Sequence, residues 1–256
     1  MLFKILICFL AGAGAGIGTG FAGMSAAAVI GPLLTTFLNI EPYQAIGIGL
    51  ASDVLASAGS AYTYYKNGNL DIKNSIPLLI SVLLMTVCGS YVASFLPAST
   101  MSGSMQFMMI ILGLRFILKP VTPSKENATS LSAKERIKKA ILGGSLVGFI
   151  CGFVGAGGGM MLLFVLTSLL KYEMHMAVGT SVFIMAFTAL TGSISHFMIG
   201  GNIAIDVLLL CVLFTFIWAR IASVIANKSD SLTLNRIVGI VLIVTSIAIL
   251  AANYLL

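Results

Sequence analysis

Asp53 lies about ten residues into an otherwise apolar run from Gln44 to Tyr65, near the depth at which a bilayer is driest. A carboxylate there is costly and by default functional, as a proton carrier or as the partner of a counter-ion. A neutral, hydrogen-bonded aspartate that fixes helix packing is the other reading. A second group of residues carries no charge at all. Gly155, Gly157, Gly158 and Gly159 crowd into the short stretch "FVGAGGGMMLL", and "GFAGMSA" sets Gly23, Ser25 and Ala26 in a similar apolar surrounding near the start of the chain. Such breaks let the chain turn and leave main-chain amides bare at the start of the next helix. A helix N-terminus carries roughly half a positive charge and unpaired N–H groups, so it attracts anions. Close helix packing through small residues is the rival reading for these glycines. Thr180 and Ser181, in "AVGTS", have hydroxyls to offer to the same point, or to carbonyls of their own helix. Taken together, these types suit binding of a small anion coupled to movement of a proton.

The elements that must position them follow from composition. The chain of 256 residues is 59% apolar and 9% charged, with a mean hydropathy of +1.08, against roughly 25% charged residues in a soluble domain. Runs such as Leu78 to Leu96, Val207 to Ala226 and Ile237 to Leu256 have the ~20 residues a crossing needs, and only helix satisfies their backbone in lipid. The fold class is therefore an all-α polytopic membrane protein. Its four cysteines, Cys8, Cys88, Cys151 and Cys211, all lie in apolar segments at spacings that suit neither a metal site nor a disulfide framework, and read as packing thiols. Neither metal nor cofactor is expected. The net charge of +6 sits beside membrane spans, where the excess of cytoplasmic Lys and Arg accounts for it, so no nucleic-acid partner is expected.

Sliding the chain against itself by 132 residues pairs Gly16 with Gly148, Gly20 with Gly152, Phe21 with Phe153, Gly23 with Gly155, Glu41 with Glu173 and Gly47 with Gly179. The first copy begins almost at residue 1, so a cleaved signal is not expected despite Lys4 and the apolar run after it. Between the copies lies the polar segment from Lys119 to Lys139, net +4. This divides the chain into a first transmembrane repeat (1–118), a basic linker (119–139) and a second repeat (140–256). With the linker in the cytoplasm, walking outward places 13 of the 14 Lys and Arg on that side, Lys4 being the exception. Corresponding loops then fall on opposite faces, so the two repeats have inverted topology. Ala140 to Leu170 is too short for two full crossings, and so is Leu2 to Leu38. Each is expected to be a glycine-broken hairpin of short helices, followed by three transmembrane helices. Inverted repeats with interrupted helices are how many secondary transporters build a midplane site.

Glu41 and Glu173 precede helices and read as caps, and Arg115 and Arg220 as snorkelling residues near helix ends. The doubled G-F-x-G followed by small residues, "GFAGMSAAAVIGPLL" and "GFVGAGGGMMLLFVL", with "AVGTS" after the second, resembles the sulfite exporter TauE/SafE family of bacterial and archaeal membrane proteins. The first copy departs from the pattern, with "GMSAAA" in place of a glycine-rich run and "AIGIG" in place of the Thr-Ser pair. The resemblance implies a multi-pass cell-membrane protein that moves sulfite, an organosulfonate or another small organic anion, with protons as the coupling ion. The rival is a passive anion or small-solute channel, which shares the glycine breaks and needs no titratable coupling group. An enzyme is not expected, since no nucleophile, base and acid fall at one membrane depth.

Overall fold

The computed structural model describes residues 2–93, 103–120, 132–154, 158–200 and 204–255. Ten helices run through them: α1 Leu2–Ala22, α2 Ala27–Leu38, α3 Pro42–Lys66, α4 Ile72–Ala93, α5 Gly103–Leu118, α6 Ala133–Val154, α7 Gly158–Ser168, α8 Met174–Gly200, α9 Ile205–Lys228 and α10 Ser231–Leu255. Among the described residues, α1 and stretches of α4, α8, α9 and α10 are both long and apolar enough to cross a membrane. Helices α2 and α7, at 12 and 11 residues, reach only about halfway across a core of roughly 30 Å at ~1.5 Å per residue.

Helix α3 is long enough, at 25 residues, yet too polar to resemble a lipid-facing span. Its position explains this. It packs against α1, α2, α8 and α9, and Ser52, Asp53, Ser57, Ser60 and Thr63 are all buried within that shell of protein. Local chemistry sets its start: Pro42 holds the first turn, and the Glu41 carboxylate accepts from Tyr43 N at 3.1 Å and Gln44 N at 3.0 Å. Glu41 is thus a cap.

The hairpins differ from the sequence expectation of paired short helices. Each has a long first arm, α1 or α6, and a short second arm, α2 or α7. The first arms are long because each packs along a helix from the other half of the chain. Helix α1 runs parallel to α9: Lys4 Nζ meets Asp206 at 2.6 Å at one end, and a β-carbon on Gly16 would strike Thr215 O and Ala219 N further along. Helix α6 runs parallel to α4 in the same way, with the Gly148 α-carbon pressed on the Val82 backbone. Helix α6 also starts earlier than the linker boundary suggests. Ser132 and Glu135 cap it reciprocally, Ser132 N donating to Oε2 at 3.2 Å and Glu135 N to Oγ at 3.3 Å, so Lys134, Arg136, Lys138 and Lys139 belong to its first turns.

The centre of the bundle is closed by antiparallel pairs. Leu50 of α3 lies beside Gly192 of α8, and Tyr64 beside Gly179. Helices α5 and α10 meet through Gly113 and Gly239, each packed on the other's carbonyl.

Candidate functional site

Helix α1 ends where Gly23 takes a φ of +56°, a left-handed conformation that side chains disfavour. Gly23 N donates to Thr19 O at 3.0 Å and Met24 N to Gly18 O at 3.2 Å, so the last carbonyls of α1 are satisfied inside the protein. The Thr19 hydroxyl donates to Met24 O at 2.8 Å and ties the turn from the other side. Four residues later α2 begins.

Ala26 occupies the N-cap of α2 and has no side-chain oxygen to offer the bare amides behind it. Asp53 supplies one from the neighbouring helix: Oδ2 accepts from Ala26 N at 3.1 Å, while Oδ1 accepts from Ser57 Oγ at 2.7 Å. Asp53 is 0% exposed. A buried carboxylate needs such donors, and the N-terminal end of α2 adds a favourable dipole. Ser25 lies beside the same carboxylate. Its Oγ is 2% exposed by residue and meets no hydrogen-bond partner among the described residues.

The turn after α1 also touches the second half directly. A β-carbon on Gly23 would collide with Ser181 Oγ, and one on Gly159 would collide with the Gly23 carbonyl. Gly158 and Gly159 are the first residues of α7. Hence Gly23, Ser25, Ala26, Asp53, Gly158, Gly159 and Ser181 gather around one point where two short helices begin. Ser181 Oγ donates to Val178 O of its own helix at 2.8 Å, although the same oxygen faces Gly23. Thr180 points elsewhere: its Oγ1 accepts from Asp71 N at 3.3 Å, at the start of α4. Gly155 and Gly157 lie outside the described residues.

Several side chains around this point escaped the sequence reading. Thr19 and Ser57 attend Asp53 from α1 and α3; Ser57 was findable as one turn beyond an intramembrane acid. Arg220 does not snorkel. Its guanidinium donates to Gly59 O at 3.2 Å and Thr63 Oγ1 at 2.8 Å and lies over the Tyr62 ring, fastening α9 to α3. Tyr64 is fully buried and donates to Gly20 O at 3.0 Å. Next to the site on the Asp71 side, Tyr172 Oη donates to Asp71 Oδ2 at 2.9 Å, and burial together with that carboxylate pushes the Tyr172 phenol well above the usual tyrosine range.

Two short helices start close to one buried point, with the Asp53 carboxyl bonded at the first of them, and comparison with known proteins decides the class. The sulfite exporter TauE/SafE family description matches residues 8–249. This chain belongs to that family. Probable membrane transporter protein YunE of Bacillus subtilis (strain 168) is 25% identical over 253 residues, covering 93% of this chain and 92% of the relative. Probable membrane transporter protein YdhB of the same organism is 29% identical over 197 residues, 75% and 77% of the two chains. A probable membrane transporter protein of Haemophilus influenzae is 27% identical over 212 residues, 79% and 77%. No solved structure matches. As a TauE/SafE protein the chain is a membrane transporter; the family and these relatives are named for transport and not for an enzymatic reaction.

Proposed function

We propose that this TauE/SafE protein is a secondary active transporter of a small anion, with sulfite or an organosulfonate as the first candidates, coupled to protons through Asp53. The observation that carries the reading is the Asp53 bond to Ala26 N. The N-terminus of α2 is an anion seat already taken by the protein's own carboxylate. An ionised Asp53 and a substrate anion compete for the same amide and the same dipole, so the anion enters as Asp53 takes a proton. The occupied site then carries one negative charge fewer than an ionised Asp53 beside the same anion, which lowers the cost of holding the anion in the bilayer. A second seat, at Gly158 and Gly159 of α7, lies across the Gly23 carbonyl. The family name and its sulfite wording support the substrate class.

The inverted-repeat architecture belongs to the same proposal. Its support is that α3 runs antiparallel to its repeat partner α8, and α5 antiparallel to α10. The cell membrane is the proposed site of action, with the basic linker in the cytoplasm and Lys4 outside. A passive channel is disfavoured because a deep carboxylate bonded into the site gives free flow no advantage.

The test is uptake of labelled sulfite, sulfoacetate and acetate into proteoliposomes, with and without an imposed pH gradient. Concentrative, gradient-dependent uptake of one anion, reduced tenfold or more by Asp53→Asn, is the expected result. Flux that only dissipates an anion gradient and ignores both pH and the substitution would return Asp53 to helix packing.

A further inference from the structure

Cys8 of α1 and Cys211 of α9 come from the two ends of the chain, and composition alone makes both packing thiols. The fold sets them against each other. Along the parallel pair of helices, Lys4 meets Asp206, a β-carbon on Gly12 would lie 2.6 Å from Phe214 Cβ, and one on Gly16 would strike Thr215 O and Ala219 N. Cys8 is one turn from Lys4 and one turn from Gly12, and Cys211 lies between Asp206 and Phe214. The two cysteines therefore form the rung between the ion pair and the glycines. Their thiols share a hydrogen bond, and both residues are fully buried. Phe9 packs edge-on against Phe214 at 5.3 Å and Trp218 at 6.2 Å, which fixes the rotation of α1 about this seam.

The seam tapers at this rung. At Gly12 the backbones are too close for any side chain, whereas at Lys4 they leave room for two charged ones. Between those limits lies the β-carbon separation of ~3.5–4.5 Å that a disulfide requires. Cys88, on α4, and Cys151, on α6, sit on neither helix of the seam. The rung is also one turn inside the end of the bundle that carries Lys4, proposed above to face outward, and disulfides persist on the outer side of a cell membrane.

We propose that Cys8 and Cys211 close to a disulfide that fastens α1 to α9, and with them the first part of the chain to the last. Its placement on the oxidising side rests on the topology proposed above; the pairing rests on the rung itself. Closure takes place as α9 docks or when the first turns of α1 fray, before the rung is covered. The oxidant is a small or protein disulfide. Cys8 Sγ, as thiolate, attacks one donor sulfur and expels the first donor thiol; Cys211 Sγ then attacks Cys8 Sγ and expels the second. Two electrons pass from the pair to the donor, and the two thiol protons end on the donor thiols.

Cells making the full chain are quenched with trichloroacetic acid and alkylated with N-ethylmaleimide, and the purified protein is digested without reductant for peptide mass spectrometry. The peptide linked through Cys8 and Cys211 is expected in most chains, in wild type and in the Cys88→Ser/Cys151→Ser variant alike, and tris(2-carboxyethyl)phosphine releases it. Linked wild type unfolds at least ~5 °C above the reduced wild type, a difference that vanishes in Cys211→Ala. If the cellular protein is reduced but oxidised glutathione links the same pair in the purified protein, the pairing stands and the outward placement of Lys4 falls. No link under either condition, a link from Cys8 or Cys211 to another cysteine instead, or equal unfolding temperatures of the linked and reduced forms overturns the inference and leaves the transport reading standing.

Discussion

The two half-helices begin in different company. At α2 the Ala26 amide meets the carboxyl group of Asp53, bonded from another helix at 3.1 Å. At α7 a β-carbon on Gly158 or Gly159 would strike a thiol, a glycine carbonyl and the sulfur of Met185, the residue that matches Asp53 in the 132-residue register. In the 132-residue register both positions start a short helix, α2 at Ala27 and α7 at Gly158, and only the first has a carboxyl group bonded to it. Under the proposed anion transport, this inequality gives the substrate an open seat and a contested one. Under the same proposal, the contest is where protons gain leverage over the anion.

The comparison is broken most severely at the turn that joins the halves. Gly23→Val forces a branched side chain into a left-handed backbone and into Ser181, and is expected to abolish folding, read as loss of a monodisperse peak in detergent. Gly23→Ala with Ser181→Ala relieves the collision but keeps the backbone strain of about 1–2 kcal/mol, and recovers part of the folded fraction. Met185→Asp makes the two seats alike. With carboxylates at both, anion binding measured by thermal shift weakens tenfold or more at neutral pH, while Met185→Leu stays near wild type. Ser57→Ala removes one donor to Asp53 and costs about 1–3 kcal/mol in chemical denaturation. Lys4→Ala breaks an ion pair whose partners are 43% and 60% exposed, and leaves the denaturation midpoint close to wild type.

Much of the helical layout can be read from the sequence because apolar length and glycine breaks are local signals. The turn at Gly23 and the helix start at Gly158 are visible as interruptions in greasy runs, and Glu41 as a cap from its place before Pro42. The bond from Ala26 to Asp53 is not visible in that way, since it joins positions 27 residues apart that nothing but the folded hairpin brings together. The contacts of Ser181 with Gly23 and of Cys151 with Gly158 depend likewise on which helices become neighbours. Arg220 was misplaced for a related reason. Distance from a helix end suggests a charge that reaches for water, and only the packing of α9 on α3 shows carbonyl and hydroxyl acceptors waiting at Gly59 and Thr63.

The parallel pairing of α1 with α9 has a consequence for how the protein is made. Helix α1 finds its long-term neighbour only after the chain has grown far beyond it: Lys4 and Asp206 are 202 residues apart. At ~5–20 residues per second that is a wait of roughly 10–40 s. During it, Gly12, Gly16 and Gly20 offer lipid a furrow that no side chain fills. Helix α6 faces no such delay, because α4 has already been inserted when it emerges. Truncated chains that stop short of α9 should therefore be the ones that quality-control proteases find first.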